Sequence, residues 1–178
     1  MTGQVAAAAG LLHRFVAQDE RRSGGSYVDF AALSGHLRCL LVTDGTVSSL
    51  IEAFSLEPTR TRCLEQKPGH PTQPELRWLA ATPGTVTVLR RVLIEGALTR
   101  QPYLSARSLL VPERLPDEVV DVLADERSSI GAALVRSGVE HRRELLWFER
   151  RQGAVASRTY RIFIRGVPAI LINEDFLR

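Results

Sequence analysis

The sequence predicts an α+β fold: a single domain in which a largely antiparallel β-sheet is flanked by helices. Strand-like stretches in the second half are joined by short turn-prone segments, which make hairpins and leave no room for regular helical crossovers. A length of 178 residues fits one domain, enough to bury roughly two-thirds of its unfolded surface and enclose a pocket. Hydrophobic residues at 44% and charged residues at 24% are globular averages, which excludes wholesale disorder and fibrous classes.

Residues 5–20 pattern as a helix, and "RRSGGS" then breaks regular structure at Gly24-Gly25. Residues 1–24 are therefore expected to be a helical N-terminal arm that packs separately, and residues 25–178 the main domain. "DFAALSGHLRCLL" reads as a helix from Asp29 to Leu41, with Gly35 weakening it. In "TDGTVSSLIEAF" a second helix follows a turn. Thr43, Asp44 or Thr46 could cap it, because a side-chain oxygen there accepts from first-turn amides. "EPTRTRCLEQK" alternates like a strand, and "PGHPTQPE" reads as a surface loop. "TVTVLRRVLIEG" and "YLSARSLLV" predict two paired strands around the turn "LTRQP". "LPDEVVDVLADE" and "SSIGAALVRSG" predict helices, the second with Gly138 as its C-cap. "HRRELLWFERR", "SRTYRIFIRG" and "PAILINEDFL" predict three further strands, joined through "QGAV" and the tight "RGVP". No internal repeat stands out.

A net charge of +3 and a pI near 9.3 lean basic. The arginine doublets at 21–22, 90–91, 142–143 and 150–151 are nevertheless mixed with acids and lack interleaved aromatics, so no nucleic-acid partner is expected. Cys39 and Cys63 are too few for a disulfide scaffold and have no zinc-type spacing; both are expected to be buried thiols. "AAAAGLL" is not preceded by a basic residue, and no apolar run approaches the roughly 20 residues that span a bilayer. The expectation is a cytoplasmic protein without a membrane partner. His13, His36, His70 and His141 show no ligand spacing, and G-x-S-x-G, H-E-x-x-H, P-loop and G-x-G-x-x-G motifs are missing. Hydrolase, zinc-protease, nucleotide and Rossmann readings each lose their usual support.

Two features remain. Arg90 and Arg91 are adjacent on a strand, so one of them must face inward. Burying a guanidinium is costly unless it is paired, and its fork matches a carboxylate. The last strand supplies Glu174 and Asp175 after an apolar run. An internal ion pair of the inward arginine with one of these acids, or an anion site, would each satisfy the pattern.

The segments "VLRRVLIEG", "YLSARSLLVPERLP", "SSIGAAL" and "SRTYRIFIRGVPAILINEDFL", in that order and spacing, resemble the chorismate pyruvate-lyase family, especially its actinobacterial branch. "LRCLLVTDGTVSSLIEAF" is similar to that family's small-residue turn leading into a helix, so the resemblance runs from about Leu33 to the C-terminus. It implies a chorismate lyase-like fold and a cofactor-free carbon–oxygen lyase that converts chorismate to pyruvate and 4-hydroxybenzoate, as a monomer in aromatic or specialised metabolism. It places the carboxylate-gripping arginine on Arg90, with Arg91 facing outward, and the glutamate that contacts the ring hydroxyl on Glu174. Backbone amide sites fall on Ile130-Gly131 and near Thr46-Val47. Arg158 and Arg161 match basic positions with structural or supporting roles. Asp175 departs from an apolar position and would alter the field around Glu174, and the short C-terminus would leave the pocket less covered. The same fold serves effector-binding domains of helix-turn-helix regulators, so the alternative is a non-catalytic domain that binds or senses an aromatic carboxylate.

Overall fold

The computed structural model describes residues 10–20, 25–125 and 127–178. The beginning of the expected 5–20 helix, the Arg21-Arg22 doublet and Gly24 lie outside the described residues. The helices are α1 (Gly35–Val42), α2 (Val47–Ser55), α3 (Gln73–Trp78), α4 (Asp117–Ala124) and α5 (Ile130–Ser137). The strands are β1 (Thr59–Pro68), β2 (Val88–Gly96), β3 (Pro102–Leu110), β4 (His141–Glu149), β5 (Ala156–Ile164) and β6 (Val167–Phe176). They form one sheet in the order β1-β2-β3-β6-β5-β4, and every neighbouring pair is antiparallel.

Turn chemistry explains the local connections. The β5–β6 hairpin closes on Arg165 and Gly166, both at positive φ (51° and 79°), as a two-residue turn that matches strand twist requires. Gly138 ends α5 in the left-handed conformation at φ 62°, as expected for its cap. The helix expected from Asp29 to Leu41 is divided. Asp29 caps a 3-10 turn at Phe30–Ala32, Leu33 and Ser34 are extended, and α1 begins only at Gly35. "PGHPTQPE" is not all loop either, because α3 starts inside it. Glu75 reaches back to accept from both the amide and the hydroxyl of Thr72 (2.8 and 2.9 Å), and Pro74 occupies a first-turn site whose amide would have no helical partner.

One face of the sheet packs against α1, α2, α4 and α5 to form the main core, which includes Leu41, Ile51, Val119, Leu134, Ile162 and Ile170. The other face carries a smaller cluster around Leu109, Leu146, Trp147 and Leu171, covered by Leu79 just after α3. Residues 15–18 run along β4. The amides of Val16 and Ala17 donate to the Leu145 and Leu146 carbonyls, and the Phe15 ring lies 4.8 Å from that of Phe148. This contact occupies backbone groups that an edge strand would leave open. The cysteines depart from expectation: Cys39 is exposed and Cys63 partly so, because one sits on an outer face of α1 and the other on edge strand β1.

The register also reveals an internal repeat that the sequence does not display. Each half of the domain runs helix, helix and three antiparallel strands, with α3 inserted between β1 and β2 in the first half only, and the third strands meet at the centre, where Arg107 pairs with Asn173. A half-turn about that point carries Ser108 onto Glu174. It also carries Arg90, which pairs with Ser108, onto Arg158, which pairs with Glu174. The two halves diverge at almost every other side chain, so no sequence repeat is visible.

Candidate functional site

A cavity of about 560 Å³ of atom-free space, counting its open mouth, lies between the inner sheet face and the starts of α2 and α5. Val92, Ile94, Leu104, Ala106, Ile162 and Ile172 make its floor apolar, and the polar groups stand around them.

Strand alternation sends Arg90 into this cavity and Arg91 outward, where the latter is half exposed and 3.9 Å from Glu65. Arg90 is 1% exposed, and its guanidinium is held by the Gln66 side chain and the carbonyls of Leu123 (2.9 Å) and Ser128 (2.8 Å). Glu174 faces the same cavity from β6. Its carboxylate accepts from Arg158 Nε at 2.7 Å and from the Tyr160 hydroxyl at 2.9 Å. The internal ion pair open to Glu174 is therefore made with Arg158 and not with Arg90. The reason is register: Arg158 lies directly across from Glu174 on the adjacent strand, whereas β3 separates Arg90 from β6. Asp175 points to the opposite face, where it meets Arg151 at 3.4 Å, so it does not flank Glu174 in the cavity.

Arg158 is 1% exposed and also donates to the carbonyls of Leu41 (3.1 Å) and Thr43 (2.8 Å), tying α1 and the turn before α2 to the sheet. Arg161, on the other face, pairs with Glu144 at 2.6 Å and donates to the Trp78 carbonyl. Burial, and after it the charge of Glu174, pushes the Tyr160 hydroxyl well above the ordinary phenol range, so it stays protonated and donates.

Two helix starts roof the cavity. Thr46 is the N-cap of α2 but makes no side-chain cap bond; Thr43 Oγ1 instead accepts from the Gly45 amide at 3.1 Å. Ser129 caps α5 by accepting from the Ala132 amide at 3.1 Å. Val47 and Ser48 on one side, and Ile130 and Gly131 on the other, line the cavity. First-turn amides have no intrahelical acceptor and carry the positive end of the helix dipole, so both starts suit an anion. Gly131 favours their closeness: a Cβ there would stand 3.2 Å from Thr46 Cγ2, a tight contact that would push the two starts slightly apart.

All six residues singled out from the sequence, Arg90, Glu174, Thr46, Val47, Ile130 and Gly131, thus line one cavity. Sequence reasoning missed Tyr160, Ser108 and Arg143, which line it too. Alternation in "HRRELL" puts Arg143 on the inner face with Leu145, and that signal was available. Outside the mouth, Arg60, Arg127 and Arg136 border a polar hollow that shares Thr46, Ser48 and Ser129 with the cavity. Among the described residues no group of three His, Cys, Asp or Glu could hold a metal ion, and no helix is long and apolar enough to cross a membrane.

Residues 41–177 match the family described as chorismate pyruvate-lyase Rv2949c-like. The chain is 22% identical over 163 residues to chorismate pyruvate-lyase of Mycobacterium tuberculosis H37Rv, covering 82% of this chain and 81% of that protein. The figures for the protein of the same description from Mycobacterium bovis are identical. Among solved structures, PhnF from Mycobacterium smegmatis superposes with a TM-score of 0.55 at 8% identity, covering 76% of this chain and 64% of that one. The chain therefore spans just under two-thirds of that protein. The separate effector domain of the same PhnF gives a TM-score of 0.53 at 8% identity, over 74% of this chain and 88% of that one. At such identities the shared feature is the fold.

Proposed function

Because the chain belongs to the Rv2949c-like chorismate pyruvate-lyase family, we propose that it eliminates pyruvate from chorismate without a cofactor and leaves 4-hydroxybenzoate. One observation carries this reading: a buried arginine, two helix starts and a buried carboxylate–phenol pair surround one apolar-floored cavity. Chorismate is a dianion with a ring hydroxyl, and those groups answer its chemistry.

The spacing suits the ring. Arg90 and Glu174 stand two strands apart in the sheet and one inward-facing position out of line. That separates their backbones by about 10 Å across the strands and about 7 Å along them. A six-membered ring with a carboxylate at one end and a hydroxyl at the other fits between their inward-reaching side chains. Arg90 grips the ring carboxylate, and Glu174 accepts from the C4 hydroxyl. The C4 hydrogen leaves as a proton, the C4–H electrons form the last ring double bond, and the ether bond at C3 breaks. The released enolpyruvate takes up a proton to become pyruvate, and aromatisation drives the reaction. Glu174, the carboxylate that lines the cavity among the described residues, orients the hydroxyl; Tyr160 and Arg158 hold it in place.

A second reading, binding of an aromatic carboxylate without turnover, is favoured by a different observation: both Glu174 oxygens are already engaged. Incubation with chorismate in chelating buffer separates the two. Equal yields of pyruvate and 4-hydroxybenzoate support the lyase, whereas saturable 4-hydroxybenzoate binding without pyruvate supports the sensor. Neither turnover nor binding would exclude both.

A further inference from the structure

Arg143 is the cation of the cavity that neither the sequence signature nor the ring-binding geometry explains. It rises from β4, which is four strands from β2 and its Arg90, so the two arginines approach the cavity from opposite sides. Its Nη1 donates to the Asp44 carbonyl at 2.7 Å, in the turn before α2, and lies 3.4 Å from His141 Nε2. Its Nη2 stands 3.9 Å from where a Cβ on Gly131 would be, at the start of α5. The guanidinium therefore sits at the seam of the two helix starts. Its Nε is buried without an acceptor, and it forms no ion pair with a carboxylate among the described residues. Arg143 pairs with Ile162 on β5, the strand next to the one that carries Glu174, which places it on the Glu174 side of the cavity. A partly buried guanidinium in such surroundings is matched by an incoming anion.

We propose that Arg143 holds the second carboxylate of the substrate, the one on the enolpyruvyl group that leaves. This rests on the lyase reading and deepens it by dividing the dianion between two arginines. The ring carboxylate goes to Arg90. The side-chain carboxylate goes to Arg143, beside the C3 ether bond that breaks. Arg143 then discriminates between substrate and aromatic product, because only the substrate carries the second carboxylate.

The test is calorimetric titration of wild type, Arg143→Gln and Arg143→Lys with chorismate and, separately, with 4-hydroxybenzoate, in the cold and over times short enough to limit turnover. Arg143→Gln should weaken chorismate binding by about 10- to 100-fold and leave 4-hydroxybenzoate binding within about twofold. Arg143→Lys should fall between, since it keeps the charge but loses the fork. Equal losses for both ligands would make Arg143 a support for the Asp44 turn and overturn the proposal; no loss for either would overturn it as well. Wild-type protein that binds 4-hydroxybenzoate but not chorismate would instead sink the lyase reading itself, a result visible before any variant is made.

Discussion

Glu174 serves two masters, and its substitution separates them. It is the buried counter-ion of Arg158 as well as the group proposed to meet the ring hydroxyl. Glu174→Gln should cost about 3–5 kcal/mol of stability, because a buried guanidinium loses its charged partner, and should lower turnover at least tenfold in the fraction that stays folded. Thermal unfolding read beside steady-state kinetics checks both; full stability with full rate would make the residue incidental. Arg90→Ala differs in kind. Its described partners include the carbonyls of Leu123 and Ser128 and the Gln66 side chain, and 4-hydroxybenzoate affinity should fall by ~2 kcal/mol or more. Wild-type affinity in a titration would remove Arg90 from the site. The inward face of Arg90 was legible from strand parity. The pairing of Glu174 with Arg158, 16 residues earlier, was not, because it depends on which strands become neighbours.

The β2–β3 hairpin is held by a carboxylate from outside it. Glu57, buried just before β1, accepts from the Leu98 and Thr99 amides (3.2 and 3.1 Å), the Thr99 hydroxyl (2.7 Å) and the Tyr103 hydroxyl (2.9 Å). Gly96 makes room for it, since a Cβ there would stand 2.3 Å from Glu57 Oε1. The Thr99 hydroxyl, above the other donors, holds the carboxyl below its ordinary value of 4.5. A group whose folded value is depressed stabilises the fold above its unfolded value, and that contribution is lost as pH falls through the folded one. Wild type should therefore lose stability on acidification below about pH 4.5 more steeply than Glu57→Gln. Parallel melting curves for the two proteins across that range would refute this. Strands β2 and β4 to β6 could be read from the sequence because apolar and β-branched residues crowd each of them between turn-prone segments. The start of α3 could not, as its Pro-rich opening has the composition of a loop and only the Thr72–Glu75 contact turns it into a helix. The same limit hid the break at Ser34, where extended backbone interrupts an apparently continuous pattern.

At the scale of the whole molecule, charge is distributed unevenly around the cavity. Among the described residues lining the hollow outside its mouth, Arg60 (itself paired with Glu95), Arg127 and Arg136 outnumber the one acid, Glu52, on a chain of net charge +3. A dianionic substrate should be steered inward, so kcat/KM should fall several-fold as salt shrinks the screening length from about 10 Å at 0.1 M to about 3 Å at 1 M. A salt-independent kcat/KM would exclude steering. The antiparallel plan was legible from the hairpins, but the relation between the halves was not, because it resides in register. That half-turn has a historical reading. Two identical copies of one half, paired through their third strands, would build the same six-stranded sheet with two equal arginines and two equal helix starts. A symmetric ancestor of this kind would present its ligand with two equivalent ends. Among the many differences between the halves, the one at serine 108 and glutamate 174 sets a hydroxyl across from one arginine and a carboxylate across from the other, and so makes the ends distinguishable. A site that must tell a carboxylate from a hydroxyl on the same ring needs such a broken symmetry.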